Sequence, residues 1–264
     1  VRAAFVTGGS SGIGLAAAKL LAKRGHVVVM FARDAGKLTQ AANGVRAETP
    51  GAEVHVFSVD VSDKSALAAV VEAAIAKVGA PEIAIASAGI AEPGLFREQS
   101  LEAHETQMAV NYFGTLYFLH ALRGPMAAAG GGKVGVIASG AAFFGIYGYG
   151  AYAPSKFALR GLAEVLRLEL EEDGIGLTLS YPPDTDTPQL VAEKRTKPMA
   201  TQKITEGGGL WSAEAVAASL LDGMDAGRFV DAPGAQMKAL NRLTSLIAPL
   251  LRWHQARIIR KVNR

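Results

Sequence analysis

The chain has no cysteine among its 264 residues, which excludes disulfides, thiolate nucleophiles and cysteine-ligated metals while leaving its compartment open. It also lacks a long uninterrupted apolar run. The longest uncharged stretches carry glycines, prolines or turn signals, so neither a transmembrane helix nor a signal peptide is predicted. Histidine is sparse: His26, His55, His104, His120 and His254 stand apart, and His104-Glu105 lacks the second histidine that a zinc-protease helix requires. No metal is expected, and the histidines are predicted on helix surfaces or in loops. No internal repeat is present. A cytoplasmic location is the default expectation.

Half of the residues are apolar, enough for a large core, and a doubly wound α/β sheet reaches this length as one domain. Strand-like runs (VVVMFA, EVHVFSV, EIAIAS, KVGVIAS and LTLSY) alternate with Ala-rich segments of helical length. That alternation predicts a Rossmann-type parallel sheet, its strands apolar because helices cover both faces.

Two motifs carry chemistry. The first is AAFVTGGSSGIGLAAAKLLAKRG: an apolar strand from Ala3 to Val6, a turn with Gly8, Gly9, Gly12 and Gly14, then an amphipathic helix. Glycines let backbone amides approach a pyrophosphate, and the helix N-terminus supplies partial positive charge. The second is AYAPSKFALRG, in which Tyr152 and Lys156 share one helix face, with Ser139 thirteen residues before the tyrosine. A lysine ammonium lowers the pKa of a neighbouring tyrosine, which exchanges a proton with a substrate oxygen held by the serine. Carbonyl reduction or alcohol oxidation follows from that set.

Together these landmarks resemble the short-chain dehydrogenase/reductase family over nearly the whole length. TGGSSGIG (Thr7 to Gly14) is similar to its cofactor turn, and DVSD (Asp60 to Asp63) to its adenine-contacting Asp-Val. ASAG (Ala86 to Gly89) stands where most members have Asn-Asn-Ala-Gly, so the structural role of those asparagines must be met differently. Asn111 in MAVNYFG matches the family's fourth catalytic residue, whose helix distortion holds a water on a proton path to the lysine. The resemblance implies a catalytic set of Asn111, Ser139, Tyr152 and Lys156. It implies a cofactor held by Gly8, Ser10, Ser11, Gly12, Ile13 and Gly14, by Asp60, Val61, Ala88 and Gly89, and by Tyr152, Lys156 and Thr187. Association into dimers or tetramers through the helices around Asn111 and Tyr152 is implied as well.

Cofactor choice follows from charge after the second strand. Ala32 occupies the place of the acid that binds ribose hydroxyls in NAD-preferring folds, and Arg33 and Lys37 supply positive charge for a 2′-phosphate. NADPH is expected, against the alternative that Arg33 merely pairs with Asp34.

After Tyr181, YPPDTDTPQLVAEKRTKPMATQKITEGGGLWS combines four prolines with three consecutive glycines, and residues of about 182–212 read as a substrate lid or as a variable surface excursion. YPPDTDTP and RTKP in this segment, with GLFREQSLE, resemble the subfamily of 3-ketodihydrosphingosine reductases. This implies a hydrophobic long-chain ketone as substrate. Asp184 or Asp186 then faces the substrate ammonium, or caps the following short helix. Reduction of another hydrophobic ketone, such as a steroid or a 3-oxoacyl thioester, uses the same catalytic set, and a non-catalytic dinucleotide-sensing or scaffold protein keeps the same fold.

The final segment, 235–264, holds seven Lys or Arg and no acid, leaving 20 basic and 24 acidic residues in 1–234. Leu240, Leu243, Ile247, Leu250, Leu251 and Ile258 recur at helical spacing, and Pro249 predicts a kink. Such a helix suits an anionic membrane surface, peripherally bound, or a neighbouring subunit. A net charge of only +3, without a recognised module, gives no expectation of nucleic-acid binding.

Overall fold

The computed structural model describes residues 2–206 and 209–262; Val1, Gly207 and Gly208 of the triple glycine, and the tail residues Asn263 and Arg264 lie outside the described residues. Seven parallel strands form one sheet in the order β3-β2-β1-β4-β5-β6-β9: β1 (Ala3–Thr7), β2 (Val27–Ala32), β3 (Val54–Ser58), β4 (Ile83–Ala86), β5 (Gly132–Ile137), β6 (Ile175–Ser180) and β9 (Val230–Asp231). The order reverses between β1 and β4, and at such a switch point the loops diverge and open a crevice. A separate two-residue pair, β7 (Thr185–Asp186) with β8 (Trp211–Ser212), ties the two ends of the expected lid together.

Alternation within the strands builds a core on each face of the sheet. Phe5 and Phe31 join Phe118 on one face, with the Phe31 ring 5.6 Å from Phe5 and 5.9 Å from Phe118. Val6 and Met30 face the other way, onto Leu21 and Leu220. The first core is covered by α3 (Lys64–Val78), α5 (Gly114–Ala128) and α6 (Tyr152–Glu172), the second by α1 (Gly12–Lys23), α2 (Ala35–Glu48) and α9 (Ala213–Asp225). Helix starts follow capping chemistry: Asp34 accepts from the Lys37 amide, Asp63 from Ser65 and Ala66, and Ser212 from Ala215.

Three shorter helices, α4 (Leu101–Met108), α7 (Pro188–Glu193) and α8 (Met199–Thr205), and the long α10 (Gly234–Val262) complete the chain. α10 runs through Pro249 as one helix, and it departs from expectation in that its apolar stripe divides. Met237, Leu240, Ile247 and Leu251 pack into the first core, whereas Leu243, Leu246, Leu250 and Trp253 are exposed. Buried Gln255 fixes the far end, accepting from the Tyr147 amide and donating to the Gly145 carbonyl, each at 3.0 Å. Thus the tail packs on its own domain.

Two histidines also depart from expectation. His55 lies in β3 beside Glu53, and His26 is buried, its Nδ1 3.2 Å from the Leu21 carbonyl. Among the described residues no helix is long and apolar enough to cross a membrane.

Candidate active site

The glycine turn is shaped by contacts that exclude a side chain. Gly8 has φ of 67°, and a Cβ there would meet the Ala88 backbone at 2.9 Å; one on Gly14 would meet the Gly8 carbonyl at 2.4 Å. Thr7 ties this turn to the end of β4, its Oγ1 accepting from the amides of Ser87 and Ala88 at 3.1 and 3.2 Å. This clasp holds the strand end where ASAG departs from Asn-Asn-Ala-Gly. Gly8, Ser10, Ser11, Gly12 and Ile13 line a cleft of about 430 Å³, with Gly14 packed behind them. Ser11 begins α1 without a side-chain cap, so the first-turn amides are left for a ligand.

Arg33 and Lys37 line the same end of the cleft. Arg33 lies 3.6 Å from Asp60 and Lys37 lies 3.6 Å from Asp34, so the expected Arg33–Asp34 alternative is replaced by a different pairing. Burial pushes the Asp60 carboxyl up, but bonds from Ser62 and the charge of Arg33 outweigh it and leave the group below its ordinary range. Val61, Ala88 and Gly89 continue this wall.

The catalytic candidates converge midway. Ser139 follows β5, with its Oγ accepting from the Ala141 amide. Tyr152 and Lys156 lie in the first turns of α6, both buried, the Lys156 Nζ 5.7 Å from the Tyr152 ring centroid and donating to the Ile137 carbonyl at 3.1 Å. Asn111 stands behind the cleft rather than on its wall. It sits in a π-helical turn, Ala109–Phe113, and its side chain bonds both main-chain groups of Ile90 and the Ser155 hydroxyl at 2.8–2.9 Å. Burial is the largest influence on Tyr152, pushing its phenol up together with the Glu193 carboxylate, while Ser139 pulls it down. The depressed tyrosine expected from the lysine spacing is therefore not what this geometry produces. Burial instead lowers Lys156, to about 8.

Beyond Tyr152 the cleft enters the lid. Asp184 lines it and lies 3.7 Å from the buried Lys197 ammonium. Asp186 is exposed in β7 and faces a different surface hollow, beside Gly12 and Ser212. Neither acid caps the following helix: Thr187 does, its hydroxyl accepting from the Leu190 amide. Thr187 also lines the cleft beside Gly12. Sequence reasoning missed Tyr149 and Glu193, which face the cleft, and Met237 and Leu240, through which α10 closes its apolar end. The Glu193–Lys197 spacing was the available signal, but it resembles an ordinary solvated helix pair.

One end thus offers a glycine-rich turn, helix amides and two cations, a donor set suited to a dinucleotide. The middle offers a phenol, a hydroxyl and an ammonium around one point, suited to proton exchange with a carbonyl oxygen. The far end is an apolar arm with one buried acid, Glu193, and one half-buried, Asp184.

Residues 2–198 match the family model described as short chain dehydrogenase. The chain is 38% identical over 248 residues to a Danio rerio protein named 3-dehydrosphinganine reductase, covering 93% of this chain and 75% of that one. The fold is similar to that of a short chain dehydrogenase/reductase from Burkholderia phymatum in complex with NAD, with a TM-score of 0.83, 25% identity and 94% of each chain covered. It is also similar to a short-chain dehydrogenase from Sphingobium yanoikuyae in complex with NADPH, with a TM-score of 0.80, 26% identity and 96% of each chain covered.

The lowered Lys156 pKa has a measurable linkage. Between about 8 and the ordinary lysine value near ~10.4, the unfolded chain binds a proton at this position that the folded chain has released, so this group makes stability rise with pH. In chemical denaturation from pH 7.5 to 10, the wild type is expected to gain stability relative to Lys156→Met. A constant difference across that range would contradict a lowered lysine.

Proposed function

The chain belongs to the short chain dehydrogenase family, and from that premise we propose that it reduces the ketone of 3-ketodihydrosphingosine to dihydrosphingosine in sphingolipid biosynthesis, using NADPH. One observation carries this reading: a single cleft runs from the glycine turn past Tyr152 into an arm lined by Ile146, Leu190, Ile204, Met237 and Leu240. Such an arm suits a hydrocarbon chain. The similarity to a 3-dehydrosphinganine reductase over most of the chain supports the same substrate.

The nicotinamide supplies a hydride when bound. The glycine turn, Asp60, Val61, Ala88, Gly89 and Thr187 would hold the cofactor, with Arg33 and Lys37 at its 2′-phosphate and Lys156 at its ribose. Tyr152 donates its phenolic proton to the carbonyl oxygen as that oxygen gains negative charge, and Ser139 orients the oxygen. Its raised pKa keeps the phenol protonated before the step. The Lys156 ammonium stabilises the phenolate left behind, and the π-helical turn at Asn111 opens a route by which water restores the proton.

In this reading residues 1–234 form the cofactor-binding and catalytic domain, with the segment of about 182–212 as its lid. The tail adds a membrane contact. Leu243, Leu246, Leu250 and Trp253 are 44%, 78%, 62% and 54% exposed, and Arg242, Arg252, Arg257, Arg260 and Lys261 are exposed on the same helix. An apolar stripe on a helix whose only charged residues are cations complements an anionic bilayer, the medium in which a long-chain substrate resides. A cytoplasmic enzyme held at a membrane face is the resulting picture. Exposed Phe113, Phe157, Val165 and Leu168 around α5 and α6 support self-association through a second face.

Three measurements test these proposals. Purified protein with 3-ketodihydrosphingosine in detergent micelles should form dihydrosphingosine by mass spectrometry, faster with NADPH than with NADH. Tyr152→Phe should lower the rate by roughly 10²–10⁴-fold with NADPH affinity retained; a variant as active as the wild type contradicts the role of Tyr152. Wild type should co-sediment with vesicles containing phosphatidylglycerol, and Leu246→Ser/Leu250→Ser/Trp253→Ser should not. Equal sedimentation argues against the stripe. Point changes suit this test because deleting α10 also removes cleft wall. Light scattering after gel filtration should give a dimer or tetramer that Val165→Glu/Leu168→Glu dissociates; a monomeric wild type excludes that face.

A further inference from the structure

Glu193 neither gives nor relays the proton in the transfer described above, although its charge helps to raise the Tyr152 pKa, and it is a buried acid on the wall of the cleft. It ends α7 at 7% exposure. Its Oε2 accepts from the Tyr149 hydroxyl and its Oε1 from the Gln189 amide, both at 3.1 Å. The Tyr149 ring lies 5.4 Å from the Tyr152 ring, so one aromatic side chain separates this carboxylate from the proton donor.

Its surroundings distinguish it from the other acid of the cleft. Asp184 has its own cation in Lys197, at 3.7 Å. That lysine also lies 5.5 Å from the Tyr149 ring centroid. Among the described residues no cation lies within ion-pair distance of Glu193, whose hydrogen-bond partners are neutral. Asp184 thus takes the nearest ammonium, while Glu193 feels Lys197 and Lys156 only from beyond ion-pair distance. Burying a carboxylate without a counter-charge is unfavourable. Accordingly, burial pushes the Glu193 carboxyl up, opposed by Gln189, Lys197 and Tyr149. An entering cation relieves that penalty.

We propose that Glu193, not Asp184 or Asp186, is the specificity residue that recognises the substrate ammonium, while the ketone oxygen on the adjoining carbon meets Tyr152. This rests on the sphingoid reading above. A 2-amino-3-ketone carries its amine on the carbon next to the carbonyl, so the cationic subsite must adjoin the proton donor. Glu193 does so through Tyr149. Asp186, outside the cleft, does not.

The test compares two ketones, 3-ketodihydrosphingosine and the same chain without the 2-amino group, with NADPH and the full chain. Glu193→Gln keeps the size of the side chain and an acceptor for Tyr149, and Asp184→Asn is the comparison. Wild type is expected to prefer the amino ketone. Glu193→Gln should lower kcat/KM for that substrate by roughly 10- to 100-fold, mainly through KM, and leave the deamino ketone within about two-fold of wild type, as expected when only a cation contact is lost. Asp184→Asn should keep the preference for the amino ketone.

A Glu193→Gln variant that loses activity on both ketones alike makes Glu193 a structural prop and overturns the proposal. So does one unchanged on both, or loss of the preference in Asp184→Asn alone. Those outcomes leave the sphingoid assignment standing. A wild type that binds NADPH and reduces other ketones but not the amino ketone rejects both.

Discussion

A single buried carboxamide fixes the arrangement on which the cleft depends. Asn111 is 0% exposed, and it bonds at once to the amide and carbonyl of Ile90 and to Ser155 of α6. An amide side chain offers donor and acceptor side by side, so it can substitute for a neighbouring strand at the end of β4; a carboxylate or an alkyl group cannot. Three elements are thereby held in one register: the strand end beside the glycine turn, the π-helical turn, and the helix bearing Tyr152 and Lys156. Within that turn the Asn111 carbonyl accepts from the Thr115 hydroxyl at 2.9 Å. A local irregularity is thus satisfied by hydrogen bonds and retained inside an otherwise regular helix.

Charged groups line the whole cleft. Arg33 and Lys37, paired with Asp60 and Asp34, occupy one end, Lys156 the middle, and Asp184, paired with Lys197, and Glu193 the other end. Burial acts on the middle and far groups in opposite senses, lowering the lysine while raising the phenol and the Glu193 carboxyl. Both shifts disfavour buried charge. The result is a proton donor that stays protonated, close to a cation that gains most when the donor loses its proton.

Much of this was legible in the sequence because it rests on short-range rules. Six of the strands could be read from apolar runs, and the glycine turn and the helix bearing Tyr152 and Lys156 from spacing alone. What could not be read depends on distant partners. β9 has two residues, Val230 and Asp231, and is a strand only because Leu179 and Ser180 of β6 lie beside it. The stripe of α10 is one periodic pattern in sequence, yet the body of the protein covers half of it. Glu193 and Lys197 look like a solvated pair until the lid folds them inward. Similarly, a DTDT sequence with two acids before a helix suggests an aspartate cap, where the threonine after them takes that place. The effect of Lys156 on Tyr152 was misjudged for the same reason: spacing shows proximity but not burial.

The position of α10 also sets an order of assembly. The glycine turn, the switch-point strands and the catalytic helix all precede residue 173 in the chain, whereas Met237 and Leu240, which close the apolar arm, come more than sixty residues later. Translation delivers the earlier segments first, so the residues of the glycine-turn half leave the ribosome well before the two side chains that wall the greasy end, and a domain that folds as one unit waits for them.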